Sequence, residues 1–214
     1  MSAKILGMIC GAMGLLAGCG AAVTDGLSQD QLTTTGFVNP SASGAINIGL
    51  ENNITNVVER VPGLPNSGYA IQTGAIADEG LFAVAGLLPA AIPTSRPSSG
   101  SVTYAGEYNL IEINDIDIVG DEIIGFPQLR SGNLDLTANF NNGTLQSQPG
   151  SGLTVNGTVN GADIGGTVIY NGVAGNLDGL IGGKVVVGAF HGEGNVGPGT
   201  QDDYMYAGGF IADR

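Results

Sequence analysis

Three features of the sequence predict an all-β chain that closes into a roughly eight-stranded antiparallel up-and-down β-barrel, preceded by a small irregular N-terminal region. Glycine supplies 38 of the 214 residues, more than twice its ordinary share of about 7 %. That abundance disfavours helices and asks for many tight turns and close backbone approaches. Asn-Gly pairs at 142, 156, 160 and 171 and Asp178-Gly179 are the chemistry of type I′ hairpin turns, because both residues tolerate positive φ. Between them run period-2 alternations such as Leu134, Leu136, Ala138 and Phe140 against Asp135, Thr137 and Asn139, the signature of strands with one buried face. No fixed-period repeat is present, which sets aside a β-helix or solenoid.

Taken from its start, the chain opens with Lys4, an apolar run from Ile5 to Leu16, and then Leu16-Ala17-Gly18-Cys19. The run is too short for a membrane-spanning helix. Leu followed by two small residues and a cysteine resembles the lipobox of bacterial lipoprotein signal peptides. The resemblance implies a signal peptide over residues 1–18, cleavage before Cys19, acylation of Cys19, and a lipid-anchored domain at the outer membrane, on its cell-surface or periplasmic face. Several acyl chains would hold a soluble domain firmly to a bilayer at about 0.8 kcal/mol per buried methylene. Residues 19–36 are small and polar with no periodicity and read as a flexible tether.

Residues 37–98 carry short apolar groups, Ile46/Ile48 and Val57/Val58 among them, interrupted by Pro40, Pro62 and Pro65. They read as a small β or irregular region in which Leu81 to Leu88 is a buried strand. Pro89 to Gly100 is a connector. Residues 99–214 hold the barrel. Ser101 to Tyr108 starts it, and Ile111/Ile113 and Ile116/Ile118 alternate on two phases, which predicts a strand with a bulge near Asn114. Asn160-Gly161 turns between Leu153/Val155 and Val168/Tyr170. Lys184 to Gly192 and Tyr204 to Ala212 close the set across the polar loop Glu193 to Asp203.

In the same order along the chain stand Ser99-Gly100-Ser101-Val102-Thr103-Tyr104-Ala105-Gly106-Glu107-Tyr108, Leu136-Thr137-Ala138-Asn139-Phe140-Asn141-Asn142-Gly143, and Gly188-Ala189-Phe190-His191-Gly192 with Tyr206-Ala207-Gly208-Gly209-Phe210. These runs resemble the small lipoprotein barrels related to transferrin-binding protein B. The resemblance implies an acylated, often surface-displayed lipoprotein that binds a host protein, haem or another factor through its loops. It departs from the family where Phe190-His191-Gly192-Glu193 replaces the usual Phe-Tyr-Gly-Pro. No family binding residue maps onto this chain.

The chemistry available is sparse. Cys10 leaves with the signal peptide and Cys19 is used by the lipid, so no disulfide, thiol nucleophile or cysteine metal site is expected. The formal net charge is −13, one unit more negative once Lys4 is removed, which disfavours nucleic acid as a partner. Asp115 to Glu122 lacks the oxygen donors of a calcium loop at Val119 and Phe126. Asp135 and Asp163, both on predicted strands, are a conceivable acid–base pair, but nothing in the sequence shows that they meet. His191, the single histidine, is the one imidazole able to ligate haem if the barrel mouth binds it. Glu193, Asp202 and Asp203 of the last loop can steer a basic protein surface. The sequence therefore predicts a non-enzymatic binding module for a protein or nutrient ligand, with no resident cofactor; a structural or adhesive envelope lipoprotein is the alternative.

Overall fold

The computed structural model describes residues 33–48, 51–76, 80–90, 92, 95–119, 122–196 and 203–214. The expected signal peptide, Cys19 and Asp202 lie outside them. Twelve strands are described: β1 Thr33–Phe37, β2 Glu51–Val61, β3 Leu64–Ile76, β4 Gly80–Leu87, β5 Ser101–Val119, β6 Glu122–Asn139, β7 Thr144–Ser147, β8 Thr154–Asn160, β9 Asp163–Tyr170, β10 Val173–Ile181, β11 Val185–Gly194 and β12 Tyr204–Asp213. The described residues contain no helix long and apolar enough to cross a membrane.

Strands β5 to β12 pair each with the next, and β12 returns to β5, closing an eight-stranded antiparallel up-and-down barrel. The turns explain the pairing. Asn171 and Gly172 both have positive φ and join Tyr170 to Val173, the I′ geometry that matches strand twist. Gly161 turns between the paired Asn160 and Asp163. Gly157 lies within β8. Asp178-Gly179 is also mid-strand, in β10, because cross-strand packing overrides its turn preference: a Cβ at Gly179 would press on the Val187 carbonyl.

The barrel interior is filled. Tyr104, Tyr108, Leu110, Tyr170, Phe190, Tyr204, Tyr206 and Phe210 are all buried in one cluster. Their rings form a ladder: Phe210 on Phe190, Phe190 on Tyr206, and Tyr206 on both Tyr170 and Tyr204, with centroids about 6 Å apart. Eight strands enclose just enough room for side chains to fill.

Strands β1 to β4 do not enter the barrel wall. They form a separate sheet in the order β1-β4-β3-β2, antiparallel except that β1 runs parallel to β4. β1 begins inside the span expected as tether, since three threonines gain pairing on the free edge of β4 that composition alone does not reveal. The Leu81 to Leu88 run supplies β4. One face of this sheet, with Tyr69, Ile71, Ala83 and Ala85, packs on the outside of the barrel against Ile111, Ile113, Val185, Val187, Ala189, Met205 and Ala207. The other face buries Ala70, Phe82 and Val84 beneath Ile46 and Leu88. The consequence shows in β11 and β12: both are buried over nearly their whole length because one face lines the barrel and the other meets the sheet.

Candidate binding surface

Antiparallel register places the end of β3 and the start of β4, the end of β5 and the start of β6, the Asn171-Gly172 turn, and the end of β11 and the start of β12 at one end of the molecule. Here β5 and β6 outgrow the barrel. β12 pairs with β5 only as far as Ile113, and β7 pairs with β6 only over Leu136 to Asn139. Beyond those points the hairpin projects as a two-stranded ribbon. Register slips between Asn114 and Asp117, with Asp115 at φ 52°, so the expected bulge is where the ribbon begins.

The ribbon exposes apolar side chains. Phe126 is 57 % exposed and Ile124 is 37 % exposed, two residues apart on one face of β6; Leu129, also 57 % exposed, lies below the ribbon opposite Ile111. Between the ribbon and the small sheet lies a cleft of about 380 Å³, lined by Thr73, Leu81, Ile113, Ile123, Phe126 and Pro127, with neighbouring backbone. Gly125 makes the close approach possible, since a Cβ there would press on Ile113 and Leu81. Thr73 is only 1 % exposed, and its Oγ1 has no hydrogen-bond partner within the described structure.

The same end carries a polar clasp. Glu112 projects from β5 into the barrel mouth and is 2 % exposed. Its carboxylate accepts from Arg130 Nε at 2.6 Å, from the Tyr204 hydroxyl at 2.6 Å and from Asn171 Nδ2 at 3.3 Å. Arg130 also donates to Gln128. One buried carboxylate thus ties β5, β6, β12 and the β9–β10 turn together. Burial, reinforced by the adjacent Glu112, pushes the Tyr204 phenol well above its usual range, so it stays a donor.

The residues singled out from sequence are distributed differently. His191 is buried, 8 % exposed, and it is not at the barrel mouth. It belongs to the outward face of β11 with Val185, Val187 and Ala189, which meets the small sheet, and the Phe37 ring stands edge-on to it at 4.6 Å. Burial lowers its imidazole below the usual histidine range, and Nδ1 has no partner within the described structure. Glu193 is exposed near the end of β11. Asp203 uses its carboxylate to accept from the Val196 amide at 3.0 Å and its carbonyl to accept from the Ile116 amide at 3.2 Å, which ties the loop to the base of the ribbon. Asp135 and Asp163 do not meet: β7 and β8 lie between their strands, three spacings of about 4.8 Å each. The described residues contain no group of three metal-ligating side chains.

Sequence reasoning missed Thr73, Glu112 and the ribbon. One signal was available: Ile123-Ile124-Gly125-Phe126-Pro127 sets apolar residues directly after an acidic hairpin tip, where turn chemistry leads one to expect polar ones.

No family model matches the chain, and no curated protein matches it. Among solved structures it is similar to HpuA from Kingella denitrificans, crystallised in complex with human haemoglobin, with 16 % identity and a TM-score of 0.38 over 69 % of this chain and 55 % of that one. It is also similar to transferrin-binding protein B from Actinobacillus pleuropneumoniae, with 11 % identity and a TM-score of 0.44 over 68 % of this chain and 76 % of that one. For the intact two-lobed form of transferrin-binding protein B the figures are 13 %, 0.40, 78 % and 39 %. The chain thus spans about half the length of HpuA.

Proposed function

We propose that this chain is a non-enzymatic binding module, anchored through a lipid on Cys19 at the outer membrane, that captures a protein partner with its ribbon end. The observation that carries this reading is the exposed pair Ile124 and Phe126, on one face of a hairpin that projects past the barrel. Large apolar side chains held out in water and grouped together mark interaction surfaces. The packed barrel interior favours recognition on the outside over a small ligand held within. His191, walled in by Phe37, has no open approach from the mouth, so a haem-binding role finds little support in its position.

Photocrosslinking in cells tests the proposal. A benzophenone amino acid at Phe126 should yield a discrete crosslinked protein, while the same group at Asn142, in the turn at the opposite end, should not. Equal labelling at both positions, or none at Phe126, overturns the reading. The anchor is checked separately by mass spectrometry of the N-terminal peptide, where an unmodified Cys19 refutes lipidation.

A further inference from the structure

We propose that the free edge of β6 from Leu129 to Asn133, at the base of the ribbon, takes up an extended segment of the protein partner as an added β-strand. This rests on the ribbon end being where a partner is held and names the chemistry that holds it, main-chain hydrogen bonding.

The neighbouring strands leave this edge open. β5 runs along one side of β6, but β7 covers the other side only from Leu136 to Asn139. Two bonds fix which residues face that side. The Gln148 amide, just after β7, donates to the Asp135 carbonyl, and the Phe140 amide donates to the Gly100 carbonyl, just before β5. In an antiparallel strand the N–H and C=O of one residue point to the same side and successive residues alternate, so the odd-numbered residues of β6 face away from β5. Register runs without a slip from Ser101/Asn139 to Asn114/Phe126, which carries the alternation through Asn133, Ser131, Leu129 and Pro127. Pro127 fits that assignment, because an outward position is where proline costs a strand no ladder bond. Leu129, Ser131 and Asn133 therefore each present an N–H and a C=O that no strand of the described structure pairs.

An extended polypeptide matches this row. Its own donors and acceptors recur on one side at every second residue, about 6.8 Å apart, and strand addition to an exposed edge is a recurrent mode of peptide recognition. Gln128, Leu129, Arg130, Ser131 and Asn133 are all exposed, so the approach is open. Side chains set the preference of the added strand. Residues opposite Leu129, Ser131 and Asn133 share the face on which Leu129 is 57 % exposed, and an apolar residue there covers it. Those between lie beside Gln128 and Arg130, whose guanidinium is held by Glu112, and are polar. β2, the outer strand of the small sheet, is another long edge, but register shifts at Asn52/Thr55 and Arg60/Val61 interrupt it, a device that protects edges from pairing.

The test uses the full chain, the capped peptide Thr-Val-Thr-Val-Thr-Val-Thr and an analogue N-methylated at every Val, read by amide NMR and hydrogen exchange. The unmodified peptide should bind saturably and slow exchange of the Leu129, Ser131 and Asn133 amides, leaving the β2 amides unchanged. The N-methylated analogue should not bind. Ser131→Pro removes one outward donor at a position of the same phase as Pro127, so it should keep the unfolding midpoint while weakening the peptide about tenfold or more; Ser131→Ala, which keeps the donor, should leave binding unchanged. No saturable binding, equal binding of the analogue, protection on β2 instead, or indifference to Ser131→Pro overturns the proposal. Protection of these amides in the peptide-free chain that rises with protein concentration also overturns it, by assigning the edge to a second copy. Crosslinking at Phe126 in cells without peptide binding would remove strand addition alone, whereas failure of both would remove the binding surface as well.

Discussion

Glu112 is the residue on which the barrel mouth depends, because three donors from three other elements converge on it. Replacing it by Gln keeps an acceptor for Tyr204 but removes the charge from every bond, and hydrogen bonds to charged groups contribute about 1.5–3 kcal/mol against about 1 for neutral ones. Glu112→Gln should therefore lower unfolding stability by about 1–3 kcal/mol, measured by denaturant titration, and Glu112→Ala by more, since it leaves Tyr204 and Asn171 facing an empty site. His191 makes the second residue-scale prediction. Burial depresses its folded pKa below the ordinary histidine value, so between the folded and unfolded pKa values the unfolded chain binds more protons. The contribution of the neutral imidazole to stability is then fully present above about pH 6.5 and is lost as pH falls through the depressed folded value. Thermal unfolding followed from pH 7.5 to 5 should show this decline, and His191→Phe should flatten that part of the profile; an unchanged slope in the variant contradicts the assignment. The sequence made His191 visible as a lone imidazole, but which face of β11 it occupies depends on the second sheet, and nothing local to β11 encodes that sheet.

At the scale of the strands, glycine and aromatic residues alternate across the β11–β12 pair. Gly188 stands opposite Phe210, and Phe190 opposite Gly208, so each ring lies over the bare backbone of its partner and the two rings stack on each other. A Cβ at Gly208 would overlap the Phe190 ring and press on Leu110, while one at Gly36 in β1 would meet nothing. Gly208→Ala should cost about 1–3 kcal/mol as overpacking of a filled core; Gly36→Ala is the control and should leave stability nearly unchanged. This arrangement accounts for what was legible. Strand phase and the Asn-Gly turns are local properties, so the eight strands, the bulge near Asn114 and the turns at 160 and 171 could be read from residues a few positions apart. The ribbon could not. Its length is set by where β12 and β7 stop pairing with β5 and β6, and the β12 stopping point joins Met205 to Ile113, 92 residues apart in sequence.

The molecule as a whole is a barrel with a sheet laid on its outer wall, and its stability is shared across that contact. Tyr69 shows how closely the two fit: its ring lies where a Cβ at Gly209 would be, and its hydroxyl accepts from Asn109 Nδ2 at 3.1 Å. All eight barrel strands fall within residues 101–213, so a chain of residues 99–214 retains every strand pairing that closes the barrel. It does not retain the cover over Ile111, Ile113, Val185, Val187, Ala189, Met205 and Ala207. Seven adjacent apolar side chains would then face water, and each buried methylene left uncovered forgoes about 0.8 kcal/mol. The truncated chain should give a β-type circular dichroism spectrum and a single cooperative transition, but at a lower midpoint than the full chain, and it should bind an apolar dye that the full chain does not. Tyr69→Ala in the full chain should move partway in the same direction, costing about 3–5 kcal/mol as a large-to-small change at a buried aromatic. A truncated chain as stable as the intact one would show that the sheet contributes nothing to the barrel, and a disordered spectrum would show that the barrel cannot close until the sheet has covered its wall.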